Sequence, residues 1–259
     1  MRTAEELRAD FEAYVGALEL SSSLGRLEEA LRYSLETGGK RIRPVLCLAV
    51  TEAAGGDVEH ALPAAAAVEL VHTFSLVHDD LPALDDDAER RGRPSAHIAF
   101  GEGVALLAGD ALLGEAFRLA LTYEDPGVAR ELVDATLGMI GGQYRDVTGD
   151  HDDLAELHRL KTGRLFAASV GLGLRVAGVP EEDQAVWRTF GADLGLLFQL
   201  VDDILDGDGV ASRLPPDEVR QLADSAAERV REHLDGVSGD TSVLRGLVET
   251  VAAGSNVGG

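Results

Sequence analysis

Apolar residues recur at the spacing of an α-helix along most of the chain. The stretches 7–18 and 24–35 each carry an apolar stripe with residues three or four apart, and the second stops at Gly38 and Gly39. Ala- and Leu-rich segments with few consecutive β-branched residues span 103–122, 128–147, 153–177 and 182–206. The pattern therefore favours helices over strands throughout.

Two of these helices are expected at the centre of a bundle, because 64–77 and 165–174 are apolar on most sides. Pro44 and Pro63 can each open a helix at its first turn. No internal repeat, linker or change of composition marks a domain boundary. We therefore predict one all-α domain over residues 1–259, a single-domain bundle of roughly ten helices, with a disordered tail at 254–259.

Charge and cysteine content narrow the possible partners and compartments. The net charge of −23 argues against nucleic acid, because phosphate backbones select basic surfaces. Cys47, the only cysteine, excludes an internal disulfide and fits a reducing compartment. The N-terminus lacks a signal-peptide core, and Glu69, His72 and Arg175 interrupt the longest apolar stretches. We expect a cytoplasmic protein without stable membrane insertion.

Two clusters of aspartates lie where helices are expected to end. The stretch 79–87 holds five aspartates, and Pro82 prevents a regular helix from continuing through it. The second cluster closes the segment 197–206, at a helix C-terminus where the dipole already disfavours negative charge. Carboxylates gathered in this way need a cation among them. Oxygen ligands without cysteine or paired histidines point to Mg²⁺, which bridges carboxylates to substrate phosphates.

Basic residues lie where they could hold the anions that such a metal site implies. The glycine-hinged loop 39–43 contains one lysine and two arginines, Arg90 and Arg91 follow the first acidic cluster, and Lys161 interrupts a helix. Arg and Lys bind phosphates directly through charge-assisted hydrogen bonds. The sequence thus predicts two anion sites, one bridged by metal and one held by basic side chains.

Six motifs in order along the chain resemble the trans-type isoprenyl diphosphate synthases, the family of farnesyl and geranylgeranyl diphosphate synthases. They are GGKRIRP (38–44), VELVHTFSLVHDDLPALDDDAERRGRP (68–94), LLAGDALL (106–113), GMIGGQYRD (138–146), KTG (161–163) and LFQLVDDILD (197–206). The resemblance implies an all-α homodimer with a central apolar pocket in each subunit. It also implies a Mg²⁺-dependent prenyltransferase that condenses isopentenyl diphosphate with an allylic diphosphate.

The resemblance assigns a role to each matching position. The catalytic residues would be Asp79, Asp80, Asp85, Lys161, Asp202 and Asp203. About three Mg²⁺ ions would be held by Asp79, Asp85, Asp202 and Asp206. The allylic diphosphate would also contact Arg90, Lys161, Thr162 and Gln199. Isopentenyl diphosphate would bind Gly39, Lys40, Arg43, His72 and Arg91.

Product length is expected to depend on Phe74, with the small Ser75 beside it. Phe74 precedes Asp79 by five residues, about 7.5 Å along a helix axis. An aromatic side chain at this depth, in the DDxxxxD form of the first motif, resembles bacterial farnesyl-type enzymes. We therefore expect a C15 product, with C20 as the alternative.

The sequence departs from the family pattern after Asp206, where a lysine-bearing segment of the family is shortened. Arg213 or Arg220 could substitute. The shortening leaves open a non-catalytic or weakly active regulatory subunit. Two further alternatives are a di-iron bundle, suggested by Glu69 and His72 at ExxH spacing, and a helical metal-dependent phosphohydrolase.

Overall fold

The computed structural model describes residues 2–36, 38–150, 156–157, 159–207, 209–212 and 214–254. Eleven α-helices with defined bounds lie in these ranges. They are α1 (Ala4–Ala17), α2 (Glu28–Leu35), α3 (Ile42–Ala53), α4 (Val58–Asp79), α5 (Ala96–Phe100), α6 (Glu102–Ala120), α7 (Pro126–Thr148), α8 (Arg164–Val176), α9 (Ala185–Asp206), α10 (Pro216–Asp235) and α11 (Ser242–Ala252). Short 3₁₀ turns span Ser22–Leu27 and Glu181–Asp183, and a π-helical turn spans Arg159–Gly163. The predicted all-α fold is confirmed.

Helix α4 occupies the centre of the bundle. It packs against α3, α6 and α8, and its residues from Ala64 to Leu70 are all buried. Helix α8 is buried over most of its length, from Leu165 to Leu174. These two helices are the ones that the sequence pattern marked as apolar on most sides, because only a central position removes every face from water.

Pro63 does not open α4 as expected, since the helix begins at Val58. Next to the proline, the Tyr123 hydroxyl accepts a hydrogen bond from the Ala64 N–H at 3.1 Å. The same hydroxyl donates to the His60 carbonyl at 2.7 Å. It therefore bridges two backbone groups at the point where a proline disturbs the helix, which explains why α4 extends through this residue.

Helix α4 is also long and apolar enough to cross a membrane by length and composition alone. Its most apolar 18-residue window has a mean hydropathy of 1.3, although Glu69 and His72 were expected to interrupt it. Within the described structure 67% of that window is buried. Central helices of bundles meet the same criteria, because their surroundings are apolar on every side.

A two-stranded hairpin departs from the purely helical expectation. Strands β1 (Glu89–Arg90) and β2 (Arg93–Pro94) pair antiparallel around Arg91 and Gly92, both of which have positive φ. Two such residues in succession form the tight turn that matches the twist of a hairpin. The hairpin follows the first acidic cluster and fixes the directions of Arg90 and Arg91.

The chain after the second cluster is short. Helix α9 ends at Asp206 and α10 begins at Pro216. Arg213, the suggested substitute, lies outside the described residues, as do residues 255–259 of the tail expected at 254–259.

Candidate active site

The first acidic cluster begins at the C-terminal end of α4. Beyond Asp79 the chain turns, with the Leu81 N–H donating to the His78 carbonyl. The Asp85 N–H then donates to the Asp79 carbonyl at 2.9 Å, which folds the loop back onto the helix end. The Asp79 side chain is partly buried, whereas Asp85 is exposed. The pKa of Asp79 is raised to about 6, chiefly by burial, with Lys161 opposing the shift and the nearby Asp85 adding to it.

Asp80 anchors the hairpin. Its carboxylate is buried and accepts hydrogen bonds from the Nε of Arg90, at 3.0 Å, and from the Nη2 of the same residue. Burial raises the pKa of Asp80, although the Arg90 guanidinium opposes this shift. The pair holds β1 against the end of α4.

The second cluster has one carboxylate at the site and one tied to the following turn. Asp202 lines a cavity that is described below. Asp203 is buried, and its carboxylate accepts hydrogen bonds from the Gln199 amide and from the Val210 N–H, each at 2.7 Å. Asp206 is exposed at the end of α9.

A cavity of about 410 Å³, called the basic cavity, lies between the loop before α3, the hairpin and α9. Among the predicted site residues, its lining includes Gly39, Lys40, Arg43, His72, Arg90, Arg91, Thr162 and Asp202. The Arg91 guanidinium donates to the Gly38 carbonyl and packs beside Gly39, where a Cβ would overlap it. Burial lowers the pKa of Lys40, and the nearby Asp202 partly offsets this effect. Arg90 was expected at the allylic diphosphate, and it lines this cavity together with Arg91.

Arg43 stacks on a pair of phenylalanine rings that contact each other. Its guanidinium carbon is 4.8 Å from the centroid of Phe166 and 5.7 Å from that of Phe198. Burial lowers the pKa of Arg43 to about 10, so the side chain stays charged near neutral pH. Burial and the neighbouring charge of Arg43 hold the pKa of His72 well below its usual value, so the imidazole is neutral there.

A second cavity, of about 630 Å³ and called the apolar cavity, lies between α4, α6, α7 and α8. Among the predicted site residues, its lining includes Arg43, His72, Phe74, Ser75, Asp79, Lys161 and Thr162. Phe74 is only 7% exposed, and the Ser75 hydroxyl donates to the His72 carbonyl at 2.8 Å. The Lys161 ammonium donates to the Asp146 carboxylate at 2.6 Å, from the π-helical turn to α7.

The two cavities share four lining residues, namely Arg43, His72, Leu76 and Thr162. One cavity carries several cationic side chains, and the other is walled largely by apolar ones. Asp79 lies at the apolar cavity and Asp202 at the basic cavity, so an acidic cluster borders each. An anionic head group and an apolar chain could therefore occupy adjoining spaces.

Several contacts at the site were not predicted from the sequence. Phe166 and Phe198 both contact the Arg43 guanidinium, and Asp146 pairs with Lys161. The motif GMIGGQYRD, which contains Asp146, was the available signal, but it carried no assigned role. The phenylalanines gave no signal, because apolar residues in apolar helices are indistinguishable from ordinary core.

The di-iron alternative conflicts with the position of Glu69. Its carboxylate accepts a hydrogen bond from the Arg41 guanidinium at 2.7 Å, and both side chains are buried. Arg41 is also bound by Glu12 at 2.8 Å. Glu69 thus neutralises a buried arginine instead of supplying a metal ligand.

The donor set fits Mg²⁺. All the predicted ligands at the site are carboxylate oxygens, which suit a hard cation. Asp79 is partly buried near Asp85, and burial raises its pKa, so a cation at this carboxylate would be favourable. Among the described residues no three Asp, Glu, His or Cys side chains converge closely enough to hold a metal by themselves.

Comparisons with known proteins agree with this geometry. A geranylgeranyl diphosphate synthase from Cyanophora paradoxa is 46% identical over 193 residues, which cover 69% of this chain and 64% of that protein. A farnesyl diphosphate synthase from Bacillus subtilis is 40% identical over 216 residues, 78% of this chain and 72% of that protein. A solved geranyltransferase from Legionella pneumophila has a TM-score of 0.87 at 31% identity, covering 98% of this chain and 96% of that chain.

The family model described as polyprenyl synthetase matches residues 25–214, which include every predicted site residue. The aligned part spans just under two thirds of the Cyanophora protein's length. The match covers most of this chain, and the resemblance predicted from the six motifs is confirmed. The chain belongs to the polyprenyl synthetase family.

Proposed function

We propose that this protein is a short-chain trans-prenyltransferase. It condenses isopentenyl diphosphate with an allylic diphosphate to give a prenyl diphosphate, mainly C15, with C20 as the alternative. The observation that carries the proposal is the junction of the basic and apolar cavities at Arg43, His72 and Thr162. A diphosphate and a growing hydrocarbon chain need these two environments side by side.

In the reaction the allylic C–O bond breaks and releases a diphosphate and an allylic cation. The double bond of isopentenyl diphosphate attacks that cation, and loss of a proton to the departing diphosphate restores a double bond. Lys161, Thr162 and Gln199 contact the allylic diphosphate, and Lys161 adds positive charge as the leaving group develops its own. The apolar wall around Phe74 excludes water, which would otherwise quench the cation.

Isopentenyl diphosphate occupies the basic cavity. Lys40, Arg43 and Arg91 hold its diphosphate through charge-assisted hydrogen bonds, and neutral His72 supplies a further polar contact. Arg90 borders the same cavity while its guanidinium holds Asp80. We propose that Arg90 contacts the allylic diphosphate, as predicted, from the border of this cavity.

Mg²⁺ would be held by Asp79, Asp85, Asp202 and Asp206, in about three ions shared with the allylic diphosphate, and it would neutralise the leaving group. Asp203 acts differently, because its carboxylate is engaged by Gln199 and Val210. It keeps the end of α9 in place beside Asp202.

We propose a homodimer formed through an exposed apolar face on α6 and α7. The α7 part of this face holds Val133 and Leu137, which are four residues apart, and the exposed Val104 and Leu107 lie on α6. An apolar surface of this kind marks a contact site. Light scattering should give the mass of a dimer, and Leu137→Asp should reduce it to that of a monomer. A cytoplasmic location fits the buried Cys47, whose pKa burial raises to about 12, since a free thiol persists in a reducing compartment.

One assay tests the proposal. The purified protein is incubated with labelled isopentenyl diphosphate, geranyl diphosphate and Mg²⁺, and the products are separated by chain length. Formation of labelled farnesyl diphosphate is expected. A non-catalytic subunit would give no labelled product under these conditions, which would contradict the proposal.

A further inference from the structure

His78 connects α4 to α6 beside the apolar cavity. Its Nε2–H donates to the Leu106 carbonyl at 3.0 Å, and the Asp110 carboxylate lies 3.9 Å from the same nitrogen. His78 and Asp110 both line the cavity. The imidazole thus joins the two helices that form one wall, at a level between Asp79 and Phe74.

The imidazole lies in a notch that exists because residue 109 is glycine. Gly109 is buried in α6, and a Cβ at this position would overlap the His78 ring. Gly109 does not have a positive φ, so backbone strain does not explain the glycine. A Cβ at either of two other glycines of α6, Gly103 and Gly114, would meet open space. Space for the imidazole is therefore what distinguishes Gly109.

The same imidazole supports Phe74. The two residues are four apart on α4, and their rings meet edge to face with centroids 4.9 Å apart and planes at 72°. While the imidazole stays in the notch and bonded to Leu106, it occupies space beside the Phe74 ring on the α6 side. Without it, the ring could move toward α6 and the cavity would deepen.

We propose that His78, seated in the Gly109 notch, is a positioning residue that fixes Phe74 and thereby the length of prenyl chain that the apolar cavity accepts. The inference rests on the proposed function, because it concerns the chain held in that cavity. The inference also gives a role to the motif LLAGDALL on α6, to which the resemblance assigned no substrate ligand.

The notch is tested first by thermal unfolding. Gly109→Ala should lower Tm, because the new methyl group displaces the imidazole. His78→Ala should also lower Tm, through loss of the hydrogen bond and ring contact. The decrease in Tm of the double variant should be smaller than the sum of the two single decreases, because the methyl group enters the space that the imidazole has left. Gly114→Ala, on the same helix with open space, should keep or raise Tm. If the two decreases in Tm were additive, the proposal that His78 occupies a space left by Gly109 would be overturned.

Chain length is then read directly. His78→Ala should lengthen the main product by one isoprene unit. Gly109→Ala should shorten it, because the displaced imidazole enters the cavity. The double variant should return toward the product of the unmodified protein, and Gly114→Ala should leave the product unchanged. Substitutions that lower turnover without altering product length would show that His78 is only structural.

Binding of inert analogues separates this inference from the proposed function. The affinities for the C15 and C20 thiolodiphosphates are compared by calorimetry, which needs no turnover. His78→Ala should shift the ratio of the two dissociation constants toward C20 by at least about tenfold, the discrimination that a few methylene groups give in a pocket. If the unmodified protein made no product, the proposed function would fail, and this ratio would still test His78. An unchanged ratio would overturn the role of His78 in setting depth.

Discussion

Replacing Phe74 should change the product by one isoprene unit. On the same face of α4 the next side chain below Phe74 is Leu70, four residues away and completely buried. Four residues correspond to about 6 Å along the helix axis. An isoprene unit adds four chain carbons, or about 5 Å with C–C bonds of about 1.5 Å. Phe74→Ala therefore makes room for one further unit and not for two.

The same substitution has a cost in stability that must be separated from its effect on the product. Removing a buried phenylalanine side chain costs roughly 3–5 kcal/mol, and we expect the lower end because this ring already borders a cavity. A loss of about 3 kcal/mol corresponds to a decrease in Tm of about 6–12 °C at this chain length. Assays at 25 °C keep the variant folded, and circular dichroism checks that it is.

Product analysis with labelled isopentenyl diphosphate measures the outcome. We expect the main product to change from C15 to C20 in Phe74→Ala and to be mixed in Phe74→Leu. Phe190→Leu is the matched control, because Phe190 is completely buried and does not line the apolar cavity. Its loss of stability should leave the product unchanged. A folded, active Phe74→Ala that still makes C15 would refute the reasoning, because the floor would then be set by another residue.

The remaining predictions concern metal, anions and the buried ion pair. Asp79→Asn and Asp202→Asn should each lower kcat by about 10²-fold or more with an unchanged circular dichroism spectrum, and EDTA should abolish turnover until Mg²⁺ is restored. In steady-state kinetics Arg91→Ala should chiefly raise the KM for isopentenyl diphosphate, and Lys161→Ala should chiefly raise the KM for the allylic substrate. If each substitution raised the two KM values equally, the proposal of two separate anion sites would be contradicted. Glu69→Gln should lower the free energy of unfolding by about 3–5 kcal/mol in urea titration, because it leaves a buried arginine without its main counter-ion.

The sequence predicted the helices and the buried centre of the bundle well, because both follow from the spacing of apolar residues. It missed the hairpin at Glu89–Arg90 and Arg93–Pro94, since strands of two residues carry no periodicity. It also misplaced the start of α4, because the Tyr123 hydroxyl that bridges the helix at Pro63 comes from a distant part of the chain.

The candidate site shows the same division. The charged residues of the site were identifiable from the sequence, because burying a carboxylate or guanidinium group in an apolar helix is costly unless it serves a function. Their partners were not identifiable, since Phe166 lies far from Arg43 in sequence and contacts it only after the bundle has formed. The carboxylate of Asp203, which was predicted to be catalytic, accepts hydrogen bonds from Gln199 and Val210, and spacing alone does not show these contacts.

Electrostatics links the composition of the chain to its site. With a net charge of −23, the protein as a whole repels diphosphates, and this repulsion is screened beyond about 8 Å at physiological ionic strength. Attraction must therefore come from charges inside the cavities. The sequence contains only two lysines, and both lie there, Lys40 in the basic cavity and Lys161 in the apolar one. An ammonium is a compact charge on a flexible side chain, so it can follow a diphosphate as negative charge develops on the leaving group. The planar guanidinium groups of the arginines suit an anion that stays in one place. The two proposed anion sites would account for the positions of both lysines in this acidic chain.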